Sequence, residues 1–357
     1  MKKLLRLSIA ALILAIGVAF LSFAMSSGNA ANKDFISYWA AGKQLLHKQN
    51  PYGPGILAVE KQAGFIDNRP FYMRNPPTAF PLAVLAALFS HKVSAILWSL
   101  GLVLSLMTSV RIIWEMHGRP PDRLHLIGYL FPPALACLTA GQMGIFLLLG
   151  VVLFLRWKES RPFLAGMALV VCGIKPHLFL PFVVLLLFHR RALLGAAAAI
   201  GATVLFSLAI DPHGWQQYLQ MVRSADLQNE FIPTLSLVLR LVHRSWSWLQ
   251  LVPAAIACVW VYFKRPEWNL VLLVSVLVAP YAWVTDECVV LPAFMAALYQ
   301  AKSLTPFACV LVVGLLEVLV GAGMTSPYYL WTPLAWLGLY LYGTRSVKVA
   351  VPVPMGS

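Results

Sequence analysis

The sequence predicts an all-α polytopic membrane protein, a bundle of about 12 transmembrane helices, and three observations predict it. First, 60% of the 357 residues are hydrophobic and only 11% are charged, with a mean hydropathy of +0.77. A soluble domain carries about 25% charged residues. Second, apolar runs recur along the whole chain, centred near residues 15, 102, 132, 149, 168, 182, 202, 256, 276, 293, 312 and 335. A span needs about 20 apolar residues, so several of these runs are short, and prolines interrupt some of them. Third, Lys and Arg sit in short clusters between the runs, as the positive-inside rule expects.

Taken in order, the first run follows Lys2, Lys3 and Arg6 and extends to about Met25. It is either a signal peptide, with small residues at Ser27 to Ala31 resembling a cleavage site, or an uncleaved first helix with a cytoplasmic N-terminus; its length, beyond the roughly 7–15-residue core of a signal peptide, favours the helix. Loop 26–77 comes next and is too long to be a simple connector. Its prolines at 51, 54, 70, 76 and 77 and its many aromatics predict amphipathic helices on the outer membrane surface. Position 60, in this loop, is where outside accessibility would test the orientation. The run at 78–90 is too brief for a comfortable crossing and is either re-entrant or paired with the next helix.

Further along, Arg111, Arg119 and Arg123 mark one cytoplasmic loop, and Arg156, Lys158 and Arg161 the next. Arg190 and Arg191, then Lys264 and Arg265, mark two more, and Arg345 with Lys348 the cytoplasmic tail. Alternation puts Gly141-Gln142, Lys175-Pro176-His177, loop 211–247 and the Asp286-Glu287 turn outside, with loop 26–77. Glu317 lies within an apolar run and is expected to pair with an outer basic residue. No low-complexity linker divides the chain, so residues 1–357 read as one domain.

Several classes are set aside. The basic residues make no nucleic-acid patch, and no Gly-rich nucleotide loop is present. The cysteines at 137, 172, 258, 288 and 309 show no paired spacing and read as small core residues. No metal-ligand pattern occurs, so neither a metal nor a cofactor is predicted. The absence of an internal repeat argues against an inverted-repeat transporter.

Chemistry is concentrated in the outer segments. In Asp34-Phe-Ile-Ser-Tyr-Trp-Ala-Ala-Gly42, a helix would place Asp34, Tyr38, Ala41 or Gly42, and Leu45 on one face. A carboxylate there suits a general base acting on a hydroxyl at the bilayer surface. It equally suits a helix N-terminus, where the macrodipole favours negative charge. Lys175 is a cation on the outer side, against the positive-inside trend. It either snorkels or binds a lipid phosphate as a point charge. Arg74 and Arg223 are further outer cations, and His177 stands beside Lys175. Gln142 interrupts an apolar stretch, either to satisfy a helix terminus or to hydrogen-bond a sugar. Asp286 and Glu287 point to different sides of a helix, so at most one faces an inner cavity.

The residues then resemble a family. Asp34 to Gly42 with Asn50-Pro51-Tyr52 is similar to the first outer loop of glycosyltransferase family 87, the polyprenyl-phosphate-mannose-dependent mannosyltransferases of GT-C fold. Tyr72 to Pro77, Gly141-Gln142, Lys175-Pro176 and Pro280-Tyr281 with Asp286 resemble its later landmarks in order, over roughly residues 30–300.

The resemblance implies a bacterial cytoplasmic-membrane enzyme with its active site outside. It implies a polyprenyl-phosphate sugar donor, a glycolipid or polysaccharide acceptor, and membrane lipids as surroundings. It implies Asp34 as base. The reading of the residues fits this chemistry: Lys175, with Arg74 or Arg223, is expected to contact the donor phosphate, and Tyr38, Trp39, Tyr72, Gln142, His177, Tyr281 and Asp286 the sugar or acceptor. One departure concerns the late motif: Val284-Thr285-Asp286 stand where members with mannolipid acceptors often carry histidines. Two rival readings remain, a flippase for lipid-linked sugars and a non-catalytic subunit of an envelope-polysaccharide system.

Overall fold

The computed structural model describes residues 33–224, 233–242, 247–300, 305–321 and 326–345. The predicted first helix and Lys348 of the basic tail lie outside the described residues, as do the Glu317 and Arg345 side chains. Among the described residues every regular element is helical.

The chain enters as α1 (Lys33–Leu46) and α2 (Ile56–Gln62), then a 3-10 turn (Pro77–Ala79) running into α3 (Phe80–Ala87). α4 (His91–Met116) and the one-turn α5 (Leu126–Tyr129) lead to α6 (Pro132–Ala140) and α7 (Gly144–Trp157). α8 (Pro162–Ala168) continues as 3-10 turns at Leu169–Ile174 and Pro176–Phe179, then α9 (Leu180–Leu186) and α10 (Arg190–Ile210). α11 (Gly214–Ser224), α12 (Leu235–Val242), α13 (Val252–Lys264) and α14 (Trp268–Leu277) follow. A 3-10 segment (Val284–Val290) opens α15 (Leu291–Gln300), and α16 (Thr305–Gly321) and α17 (Thr332–Arg345) complete the bundle.

Two helices among the described residues, α4 and α10, are long and apolar enough to cross a membrane alone. Among the described residues the other apolar runs form shorter helices, so the expected count of about 12 spans is not confirmed. The sequence itself breaks the other runs. Prolines start α6, α8, α9 and α13, where their missing N–H costs nothing. Gly141 ends α6 in the left-handed conformation, at φ 69°. Residues 77–87 form a short apolar helix, consistent with a segment that does not fully cross.

The surface pattern identifies the solvent. α4 buries Ser94, Ser105 and Ser109 but exposes Val93, Ile96, Leu97, Leu100, Val103, Leu104 and Met107. α10 buries only Ala192, Gly195, Ala196 and Ser207, while Leu194, Leu205, Phe206 and Leu208 face outward. In water such contiguous apolar faces would drive association. In lipid they are the natural exterior, and small residues make the helix contacts. A Cβ on Gly195 would stand 2.0 Å from the Phe163 carbonyl oxygen, and one on Gly166 1.8 Å from that of Ala192.

The segment expected to form the first outer loop is helical where it is described, but α1 is not a surface helix. Phe35 to Gly42 are all buried, because α1 inserts between α3 and α4. A Cβ on Gly42 would lie 1.9 Å from the Ala83 carbonyl oxygen, so only glycine admits α3 at this distance. Asn50-Pro51-Tyr52 is a structural clip: the Asn50 side chain accepts the Tyr52 N–H at 2.8 Å, and the Tyr52 hydroxyl donates to the Asn75 carbonyl at 2.7 Å. Glu60, expected to be accessible, is fully buried, its carboxylate accepting the Phe71 N–H.

Candidate active site

A cavity of roughly 420 Å³ opens where α1, the 71–75 segment, the α6–α7 turn, the break before α9 and the 281–285 segment meet. Each wall is set by a local sequence device. The α1 helix turns Asp34 and Tyr38, one turn apart, to the same side. Gly141 reverses the chain after α6, with the Gln142 N–H on the Cys137 carbonyl at 2.9 Å, and so presents the Gln142 side chain. Lys175 stands in the break between two 3-10 turns, at φ −135° and ψ 64°, outside the helical region that a following proline disfavours. Thr78 and Asn75 donate to the carbonyls of Gly173 and Ile174, at 2.7 and 3.2 Å, tying the 71–75 wall to that break.

The polar groups form one connected set. The Tyr38 hydroxyl, the Met143 N–H at 3.0 Å and the Lys175 ammonium at 3.5 Å all donate to Gln142 Oε1. That crowding assigns the amide orientation and leaves its nitrogen to donate to Asp34. Lys175 pairs with Asp286 at 2.6 Å. Burial pushes the Asp34 carboxyl up to about 6, opposed by Lys175 and reinforced by Asp286. For Lys175, burial opposes the charge, but Asp286 and then Asp34 outweigh it and raise its pKa. The Arg74 guanidinium donates to the Tyr281 hydroxyl at 2.9 Å, and the Trp283 indole donates to the same oxygen. His177 packs edge-on to Tyr281 with ring centroids 6.1 Å apart, and its Nε2 has no hydrogen-bond partner among the described residues.

The structure thus brings Asp34, Tyr38, Tyr72, Arg74, Gln142, Lys175, His177 and Tyr281 to one cavity. Three predicted residues do not line it. Trp39 faces away from the cavity, its ring against His91 and its indole donating to the Phe89 carbonyl. Arg223 is exposed near the end of α11. Asp286 is wholly buried behind Lys175 and, like Glu287, does not reach the cavity. Glu287 instead bonds the Thr332 hydroxyl and, at 2.7 Å, the Trp336 indole. Sequence reasoning missed Lys33, Asn75 and Trp283 on the walls, although each neighbours a residue it had singled out. Among the described residues no cluster of three or more His, Cys, Asp or Glu side chains could hold a metal ion.

Comparison with known proteins identifies the family of the chain. No curated protein and no solved structure matches the chain significantly. The profile of glycosyltransferase family 87 matches residues 72–327. The matched region contains the 72–75 wall, Gln142, Lys175, His177 and the 281–286 segment, whereas Asp34 and Tyr38 precede it. With lipid-facing helices around a cavity of carboxylate, ammonium and aromatic groups, and with that match, the chain is a membrane glycosyltransferase of family 87.

Proposed function

We propose that this enzyme transfers a hexose, mannose by family resemblance, from a polyprenyl-phosphate carrier to a lipid or polysaccharide hydroxyl on the outer face of the bacterial cytoplasmic membrane. The observation that carries the reading is that a carboxyl and an ammonium, Asp34 and Lys175, open onto the same cavity. Transfer from a lipid phosphate needs a base for the acceptor and a cation for the departing phosphate. Asp34 takes the acceptor proton as that oxygen attacks the anomeric carbon. The carbon–oxygen bond to phosphate breaks, and the phosphate leaves with the electron pair toward Lys175 and Arg74. A single displacement inverts the anomeric centre. Tyr38, Tyr72, Gln142 and Tyr281 offer hydroxyl, amide and ring surfaces suited to a sugar, and Arg223 remains a candidate contact for the donor headgroup outside the cavity.

The test is transfer by purified enzyme in lipid nanodiscs, with the product's anomeric configuration read by NMR. Polyprenyl-phosphate mannose should be consumed and nucleotide sugars ignored. Product from a nucleotide sugar, or retention of configuration, would overturn the reading.

A further inference from the structure

Asp286 sits at the start of the 3-10 segment Val284–Val290, far from α1 in sequence. It is wholly buried, it does not line the cavity, and both of its oxygens are occupied. Oδ1 holds the Lys175 ammonium at 2.6 Å, and Oδ2 accepts the Trp283 N–H at 3.0 Å. The Asp286 N–H returns to the Trp283 carbonyl at 2.9 Å, so the residue is fixed to its own turn by one backbone and one side-chain bond. A group so enclosed does not reach a sugar in the cavity. Lys175, by contrast, touches both sides: it pairs with Asp286, reaches Gln142 at 3.5 Å and lines the cavity that Asp34 lines.

We propose that Asp286 is a positioning residue, whose ion pair holds the Lys175 ammonium at the cavity wall and keeps it from closing on Asp34. The inference rests on the proposed roles of Asp34 and Lys175. A base and a cation facing one cavity would neutralise each other if they met, and each would then be lost to catalysis. A second carboxylate behind the cation prevents this. The geometry is the primary support, and the charges agree with it: Asp34 keeps a raised pKa although a lysine stands nearby. The other ionisable groups around the pair are Lys33 and Tyr38 on α1, Cys137 on α6, His177 beside Lys175, and Cys288 beyond Asp286.

Infrared titration tests this without relying on turnover. The carbonyl band of protonated Asp34 is identified by its loss in Asp34→Asn, and its midpoint should lie near 6 in the parent enzyme. In Asp286→Asn the ammonium is released toward Asp34, and the midpoint should fall by about one unit or more. Asp286→Glu keeps the carboxylate and should stay near the parent value. In a Lys175→Met background, adding Asp286→Asn should move the midpoint less, because only the direct repulsion between the two carboxylates is then lost and the part that runs through the lysine is absent. That double variant also removes both charges of the buried pair, so it is expected to fold even if Asp286→Asn does not. An unmoved midpoint in Asp286→Asn, or an equal fall in the Lys175→Met background, would overturn the proposal. Failure of the catalytic reading is separate: it would appear as normal turnover by Asp34→Asn.

Discussion

Asp34 carries the most specific expectation at the scale of single residues. Asp34→Asn preserves shape and the acceptor oxygen for Gln142 but removes proton affinity. Loss of a general base costs about 10²–10⁴ in rate, so turnover should fall by that range while donor binding persists. Near-normal turnover would refute the assignment. The acidic limb of the pH–rate profile should rise through about pH 6 and level off above it, because the carboxyl must be ionised to accept a proton. The same raised pKa has a consequence for stability. Between the ordinary carboxylate range and about pH 6 the native state holds more protons than the unfolded chain, so stability falls as pH rises. Asp34→Asn should therefore melt no lower than the parent at pH 7, as thermal unfolding in detergent would show. Lys175→Ala is a poorer probe than its sequence position suggests. Breaking a buried ion pair by removing one partner costs about 3–5 kcal/mol, so loss of donor use would be mixed with loss of fold. Donor affinity of Lys175→Met/Asp286→Asn, which removes both charges, separates the two: it should fall at least tenfold at near-parental stability.

For the helices, the decisive contacts are close backbone approaches. The sequence showed a small residue on the Asp34 face of α1, and the structure identifies it as Gly42, meeting the Ala83 carbonyl of α3. Gly42→Ala should destabilise by at least about 1–3 kcal/mol, the usual cost of overpacking, and should displace Asp34 and Tyr38 with α1. Gly338→Ala on α17 has open space and serves as the control, expected to be neutral or up to about 1 kcal/mol stabilising. Equal melting temperatures for the two variants would show that the α1–α3 contact is not tight. Span lengths were legible only in part. Hydropathy counts apolar residues but does not report where Pro132, Pro162, Pro176 and Gly141 divide a run into shorter helices.

Across the whole molecule the question is orientation. The basic clusters predict the first outer loop outside and the α7–α8 connection inside. Glu60 is buried, so a cysteine there would report packing rather than sidedness. Ile66 is 75% exposed in the same loop, and the Glu159 side chain is 82% exposed between α7 and α8. In a background lacking the native cysteines, Ile66→Cys should react with a membrane-impermeant maleimide added outside to intact cells, and Glu159→Cys only after lysis. The reverse pattern would sink the external active site.

The sequence by itself determined the membrane class, the helical content and the family. Transfer of apolar side chains to lipid is a per-residue property, and motif order is read along the chain, so neither needs a folded partner. It also pointed to most of the cavity's polar residues, because ionisable and amide groups are costly beside lipid and stand out against apolar runs. Only the tertiary structure decided which groups act on which. Lys175 and Asp286 are 111 residues apart and Tyr38 and Gln142 are 104 apart, and no local periodicity links either pair. It also turned Trp39 and Glu287 away from the cavity and placed Asp286 behind its wall. Burial and direction at those positions depend on which helices pack around them, and that packing is a property of the assembled bundle.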